Sequence, residues 1–237
     1  MAVVSILRVN WQQAATEFVV IVFGVLAALT VNEWWSERED RITESEYLAR
    51  IRADIQTDID SFESLERIFE IKAQTIKDLK DHPESDIFSR NPTELIQDLI
   101  YSAYVALPDS KSTTFDELLS TGRLALIKSV EQRDTLSRYY SGFEHISEIL
   151  FEPVGNYKRL LHETIPSELL LRSRLKSDVD GVGDFHSNLE SLLSHPGFPS
   201  AANAEIVYAD SLLYYLTRYR KQAEQVLDLL NIQMLED

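Results

Sequence analysis

Metal binding and acid–base catalysis need His, Cys, Asp or Glu at spacings that converge on one point, and this chain offers few such sets. Its five histidines are His82, His145, His162, His186 and His195. No two stand at the i, i+4 separation that would put both imidazoles on one helix face around zinc. Glu144, His145 and Glu148 are neighbours on one expected helix, but the paired Glu-x-x-His motifs of a di-iron bundle are missing. Solvated helix charges are the expectation there. Asp178, Asp180 and Asp184, interleaved with Gly181 and Gly183, have the composition of a calcium loop, yet no glutamate closes it at the required offset. A flexible acidic turn is the simpler reading. The chain has no cysteine, so thiolate metal sites, disulfides and cysteine nucleophiles are excluded. No G-x-S-x-G, Walker A or dinucleotide fingerprint occurs. The expectation is a protein with no catalytic residue, no metal and no cofactor.

One ionisable residue remains in an unusual place. In "ATEFVVIVFGVLAALTVNEWW", residues 15–35, Glu17 sits near one end of an uncharged apolar run and Asn32 with Glu33 close the other. Residues 14–35 form a helix roughly 33 Å long, enough to cross a hydrocarbon core of about 30 Å. Trp11 on one side and Trp34 with Trp35 on the other lie roughly 35 Å apart along that helix, the spacing of two interfacial aromatic anchors. No small-residue cleavage pattern follows the run, so an uncleaved anchor is expected. A buried core helix of a soluble protein has the same length and composition and stays as the alternative. At about 100° per residue, Glu17, Ile21, Gly24, Ala28 and Asn32 fall within roughly an 80° arc. Gly24 and Ala28 make a small-xxx-small step that lets two helix backbones approach closely. This stripe is the expected helix–helix interface in the membrane. The other readings are incidental small residues in a lone anchor and a carboxylate at headgroup level.

The remaining elements must carry an extramembrane domain. Seven glycines and seven prolines in 237 residues are sparse punctuation, which favours long helices over the many turns of an all-β fold. From Ser36 to His82 no proline or glycine intervenes, so one helix can run straight out of the membrane. Leu48, Ile55, Phe62, Phe69 and Ile76 recur every seven residues, with Ile51, Ile59, Leu65 and Leu79 in an adjacent stripe. Asn91-Pro92 predicts a capped helix running to Pro108. Thr114 to Glu117 reads as a capping box opening a short helix that Gly122 ends. Ser129 with Gln132 opens another, with a buried face of Leu136, Tyr139, Tyr140, Phe143, Ile146 and Leu150, divided at Pro153. Brief helices are expected in "VGNYKRLLHETI" and at Ser187 to Leu193. Ala209, Leu212, Leu216, Tyr219, Ala223, Val226 and Leu230 mark a long helix from Ala204 to Met234 that can pair with residues 45–80. The expected fold is all-α: one amino-terminal transmembrane helix continuing into a helical bundle with long amphipathic, coiled-coil-like helices. Its parts are an interfacial segment 1–13, a span 14–35, a long amphipathic helix 36–82, and a remainder 83–237 packed on it.

Glu17, Gly24, Ala28, Leu29, Asn32, Trp34, Glu37 and Arg38 form a pattern of glutamate, glycine-containing apolar run and Asn-x-Trp before Glu and Arg. The segment "TFDELLSTGRLALIKSVEQRDTLSRYY", Thr114 to Tyr140, carries a Glu-Leu-x-x-x-Gly-x-Leu-x-x-Ile run ending in paired tyrosines. Together they resemble a widespread family of bacterial single-pass membrane proteins defined only as a domain of unknown function. The chain departs from that family in having only Arg8 as a cationic side chain before the span, where relatives carry several lysines and arginines. The resemblance implies an anchor and a helical domain, and no reaction.

The net charge is -16, from 39 acidic and 23 basic residues, which argues against nucleic acid as a partner because phosphate binding needs a concentrated basic surface. The expected partners are the lipid bilayer and either further copies of the chain or another membrane protein. The expected function is a membrane-anchored, oligomeric helical scaffold or accessory subunit without catalytic activity. The alternatives are a small oligomeric ion or proton channel using Glu17 and a ligand sensor or enzyme of unknown type. The expected location is a bacterial inner membrane. A signal-anchor reading puts the domain in the periplasm, whereas Arg38, Arg41 and Arg50 against Arg8 and the terminal amine point to the cytoplasm; the periplasmic side is the working choice.

Overall fold

The computed structural model describes residues 11–81, 84–143, 155–167 and 182–232, with only the backbone described for residues 11–14, 84–85 and 182–184. Eight α-helices and no strand are found among them: α1 (Trp11–Asp81), α2 (Glu84–Phe88), α3 (Pro92–Ser102), α4 (Thr113–Ser120), α5 (Val130–Ser141), α6 (Asn156–Thr164), α7 (Val182–Leu193) and α8 (Phe198–Ile232). A short 3-10 turn, Arg123–Leu126, separates α4 from α5.

The 71-residue α1 is roughly 107 Å long, and its two parts live in different surroundings. From Ala15 the apolar segment has a mean hydropathy of 2.0, and none of it is buried by the rest of the chain. It is long and apolar enough to cross a membrane. A core helix within this chain would be mostly covered, and this segment is not. Beyond the tryptophans the same helix becomes the spine of a bundle. Leu48, Ile55, Phe62, Phe69 and Ile76 are all buried, as the seven-residue spacing predicts. They face α8, which runs antiparallel: Arg52 reaches the carbonyl of Leu230, while Thr217 and Arg220 meet Glu66.

The core lies in two layers along this pair. The layer nearer the span runs from Tyr47 to Ala73 on α1 and includes α4, α5 and the body of α8, with Phe62 stacked on Phe143 at 5.8 Å between centroids. The far layer gathers Ile76 and Leu79 with α3, α6, α7 and the start of α8.

Several boundaries differ from the sequence reading. The α3 cap is as expected, Asn91 Oδ1 accepting from Thr93 N at 2.9 Å, but the helix stops at Ser102 rather than at Pro108. Its continuation is drawn into tertiary bonds instead, the carbonyls of Tyr104 and Ala106 accepting from Lys72 and Tyr208. The Thr114 capping box does not form. α4 starts two residues ahead of that reading, at Thr113 after Ser112, and Thr114 gives its hydroxyl to Asp54 while Glu117 accepts from Tyr47 and Arg50. Long-range partners win over the local cap. Gly122 does follow α4 in the left-handed conformation at φ 68°, a shape that favours glycine. Ser129 caps α5, its hydroxyl accepting from Gln132 N. α7 opens at Val182, ahead of Ser187, and takes in the backbone of Gly183 and Asp184; α8 opens at Phe198, ahead of Ala204. Ile146, Leu150, Pro153 and Met234 lie outside the described residues.

Phe62 has no exposed surface and contacts both Phe143 and Tyr219. Phe62→Ala is expected to cost about 3–5 kcal/mol, read as a lower melting midpoint by circular dichroism in detergent. Val207→Ala, on a 65% exposed side chain, is expected to leave the midpoint nearly unchanged.

Candidate functional site

Two regions concentrate polar groups where they are costly, the apolar half of α1 and the interior of the bundle. On α1, Glu17, Ile21, Gly24, Ala28 and Asn32 are all exposed. A helix fixes them on one face by its 3.6-residue period, and no other described part of the chain meets that face. A Cβ added at Gly24 would find nothing within 4 Å, so a second backbone has room to approach. Thr30, farther along, returns its hydroxyl to the carbonyl of Leu26 at 2.9 Å, so its polar group is satisfied within the helix. Trp34 and Trp35 are 57% and 60% exposed, and the Arg38 guanidinium lies 5.9 Å over the Trp34 ring. Trp11 begins the helix, with its side chain outside the described residues.

Inside the bundle, sequence reasoning missed a set of buried charges. Lys72 is fully buried between α1 and α8, paired with Glu205 and donating to the Tyr104 carbonyl at 2.8 Å. The rings of Phe69 and Tyr208 lie 5.6 and 5.4 Å from its ammonium, close enough for cation–π attraction. Burial pulls the Lys72 ammonium below its usual range, and the Glu205 carboxylate opposes that. The pair sits where the two core layers meet.

Nearer the span, Asp58 accepts from Lys111 N at 2.7 Å and from the Tyr139 hydroxyl at 2.8 Å. Asp54 accepts from Thr114 and pairs with the Lys111 ammonium at 3.2 Å. Burial raises the Asp58 carboxyl above the ordinary carboxylate range, against the pull of those two donors. The same burial, with Asp58 close by, raises the Tyr139 phenol and keeps it a donor. Tyr140 stacks on Phe115 at 4.6 Å with its hydroxyl buried and unpaired. Glu117 is held below its usual range, chiefly by the hydrogen bond from Arg50. Beside these groups an open cleft of about 530 Å³ runs past Asp109, Ser112, Asp116 and Tyr140.

These contacts tie α4 and α5 to α1, and chemistry at them is restricted by access. The Lys72 amine has no exposed surface. Asp54 and Asp58 are engaged by Lys111, Thr114 and Tyr139. Among the described residues no three His, Asp or Glu side chains converge as a metal would need. Glu144, His145, Glu148, Asp178, Asp180 and Gly181 lie outside the described residues, as does the Asp184 side chain. A signal for the missed charges was present. Ile51, Asp58, Leu65, Lys72 and Leu79 share one seven-residue spacing, so Asp58 and Lys72 hold core positions; Glu205 likewise stands seven before Leu212. Comparison with protein-family models, curated proteins and solved structures finds no match.

Removing one member of a buried pair strands the other charge. Glu205→Leu is expected to cost about 3–5 kcal/mol, and Lys72→Met added to it is expected to recover the larger part. Urea unfolding of the single and double variants measures this, and equal losses in both would contradict an electrostatic origin.

Proposed function

We propose that the protein is a membrane-anchored helical scaffold or accessory subunit without catalytic activity, which self-associates through the Glu17, Ile21, Gly24, Ala28 and Asn32 face of its span. The observation that carries this reading is the continuity of α1. One helix holds both a fully exposed apolar segment and the central line of the bundle core. An anchor built this way transmits its orientation to the domain without a hinge, as a docking platform requires.

The stripe supports association because backbones can approach at Gly24 and Ala28 where no hydrophobic effect drives helices together in lipid. Glu17 and Asn32 at its two ends are costly facing lipid and find partners across a helix–helix contact. The pattern shared with bacterial single-pass membrane proteins supports an inner-membrane location. The signal-anchor character of the amino terminus supports a periplasmic domain.

Gly24→Leu is expected to dissociate the assembly on blue-native electrophoresis in mild detergent while leaving insertion intact, because leucine adds hydrophobicity. Val22→Leu, on another face, is expected to assemble normally. Glu17→Gln keeps the shape and is expected to preserve assembly. A flux through liposomes that disappears with Glu17→Gln would favour a proton path over a scaffold. Equal assembly of Gly24→Leu and Val22→Leu would remove the stripe as an interface.

A further inference from the structure

The turn between α4 and α5 occupies a particular height on α1. α4 descends antiparallel to α1 from Thr114 at Asp54 to Glu117 at Tyr47 and Arg50. The 3-10 turn Arg123–Leu126 follows, and then Lys128, whose N–H donates to Glu44 at 2.6 Å and whose ammonium lies 3.7 Å from Glu37. α5 then climbs away, its Tyr139 meeting Asp58. Thr121 to Lys128, the connection between α4 and α5, is therefore the part of this hairpin that comes nearest the span.

Glu37 is two residues past Trp35, about 3 Å along the helix axis. A headgroup layer is roughly 5–7 Å thick beyond the hydrocarbon, and tryptophan rings sit at its level. The Lys128 ammonium is thus at headgroup height. Helical side chains lean toward the amino terminus, which carries Glu44 and the group bonded to it toward the span. Arg123 is exposed, and the nearest carboxylate its charge is seen to act on, Glu117, is already held by Arg50 and Tyr47. Leu119 and Val130, at the two ends of the turn, are 50% and 59% exposed. The acidic side chains opposite are engaged: Glu37 also pairs with Arg41 at 3.6 Å, and Glu44 holds the Lys128 backbone. The Lys128 to Glu37 pair is solvent-exposed and long, so it yields readily to another anion.

We propose that this turn is a second membrane contact, Arg123 and Lys128 binding phosphate oxygens of phospholipid headgroups so that the base of the bundle rests on the bilayer. This rests on the anchoring reading of α1, which fixes the height. The contact holds the domain upright on its span and limits the faces it offers to partners.

The absence of native cysteine allows single fluorescent labels on the full chain in vesicles of phosphatidylcholine and phosphatidylglycerol. Labels are placed at Ala125→Cys in the turn, Ser194→Cys in the far layer and Val22→Cys in the span. A headgroup nitroxide lipid is expected to quench the Ala125 label at least twofold more than the Ser194 label. Arg123→Glu with Lys128→Glu is expected to abolish that difference while helicity is retained. If the Val22 label is quenched by a mid-chain nitroxide but the Ala125 and Ser194 labels are quenched alike, the turn contact is wrong and the anchor stands. An unquenched Val22 label overturns both. Quenching at Ala125 that survives the double charge reversal overturns the assignment to Arg123 and Lys128.

Discussion

The bundle depends on the burial of one face of α1 against α8. Leu48, Ile55, Phe62, Phe69 and Ile76 supply α1's central line, and Leu212, Leu216, Tyr219, Ala223, Val226 and Leu230 answer from α8. Burial of each large apolar side chain contributes on the order of 1.5–3 kcal/mol before the entropy of ordering is set against it. Shorter helices add little without that surface to pack on. α4 and α5 cover its near half, α3, α6 and α7 its far half. Because the spine is also the helix that carries the exposed apolar segment, the core of the domain and the segment long and apolar enough to cross a membrane belong to one continuous helix.

A long two-helix interface with only apolar residues could slide by one heptad at small cost. Lys72 and Glu205 oppose such slippage. Shifted by seven residues, Lys72 would face Leu212 or Phe198, and the desolvated ammonium would lose the Glu205 carboxylate. A buried ion pair is weak as a source of net stability but strong as a penalty on wrong registers. Asp58 acts similarly on α5 and the connection before α4, since Lys111 N and Tyr139 meet its two oxygens only in one alignment. These charges are best understood as alignment devices in a bundle whose helices could otherwise pack in several ways.

Much of this was legible from periodicity. The all-helical fold, the pairing of residues 45–80 with the last helix, and the buried faces follow from three-and-four spacing, because the pattern is set by the same geometry that packs the helices. Local caps were read less well. Thr114 and Glu117 have capping-box types at the right spacing, yet partners distant in sequence, Asp54, Tyr47 and Arg50, take both side chains. The end of α3 was misplaced for the same reason, its would-be next turn being held open by Lys72 and Tyr208. The Glu17 to Asn32 stripe was legible as one face of a helix, because a 3.6-residue period alone sets it. Asp58 and Lys72 at heptad positions were visible but easily passed over, since a charge in an amphipathic helix is usually solvated.

The central claim is that α1 is unbroken from the apolar segment into the core, and an intramolecular distance tests it most directly. With the doubly labelled chain diluted in a large excess of unlabelled chain in lipid nanodiscs, so that only distances within one chain are read, spin labels at Leu29→Cys, 60% exposed, and at Glu63→Cys are separated by about 50 Å along a continuous helix. Pulsed electron–electron double resonance is predicted to give a single narrow distribution near that value. A broad distribution, or one centred well below it, would mean a hinge between span and bundle and would contradict the account.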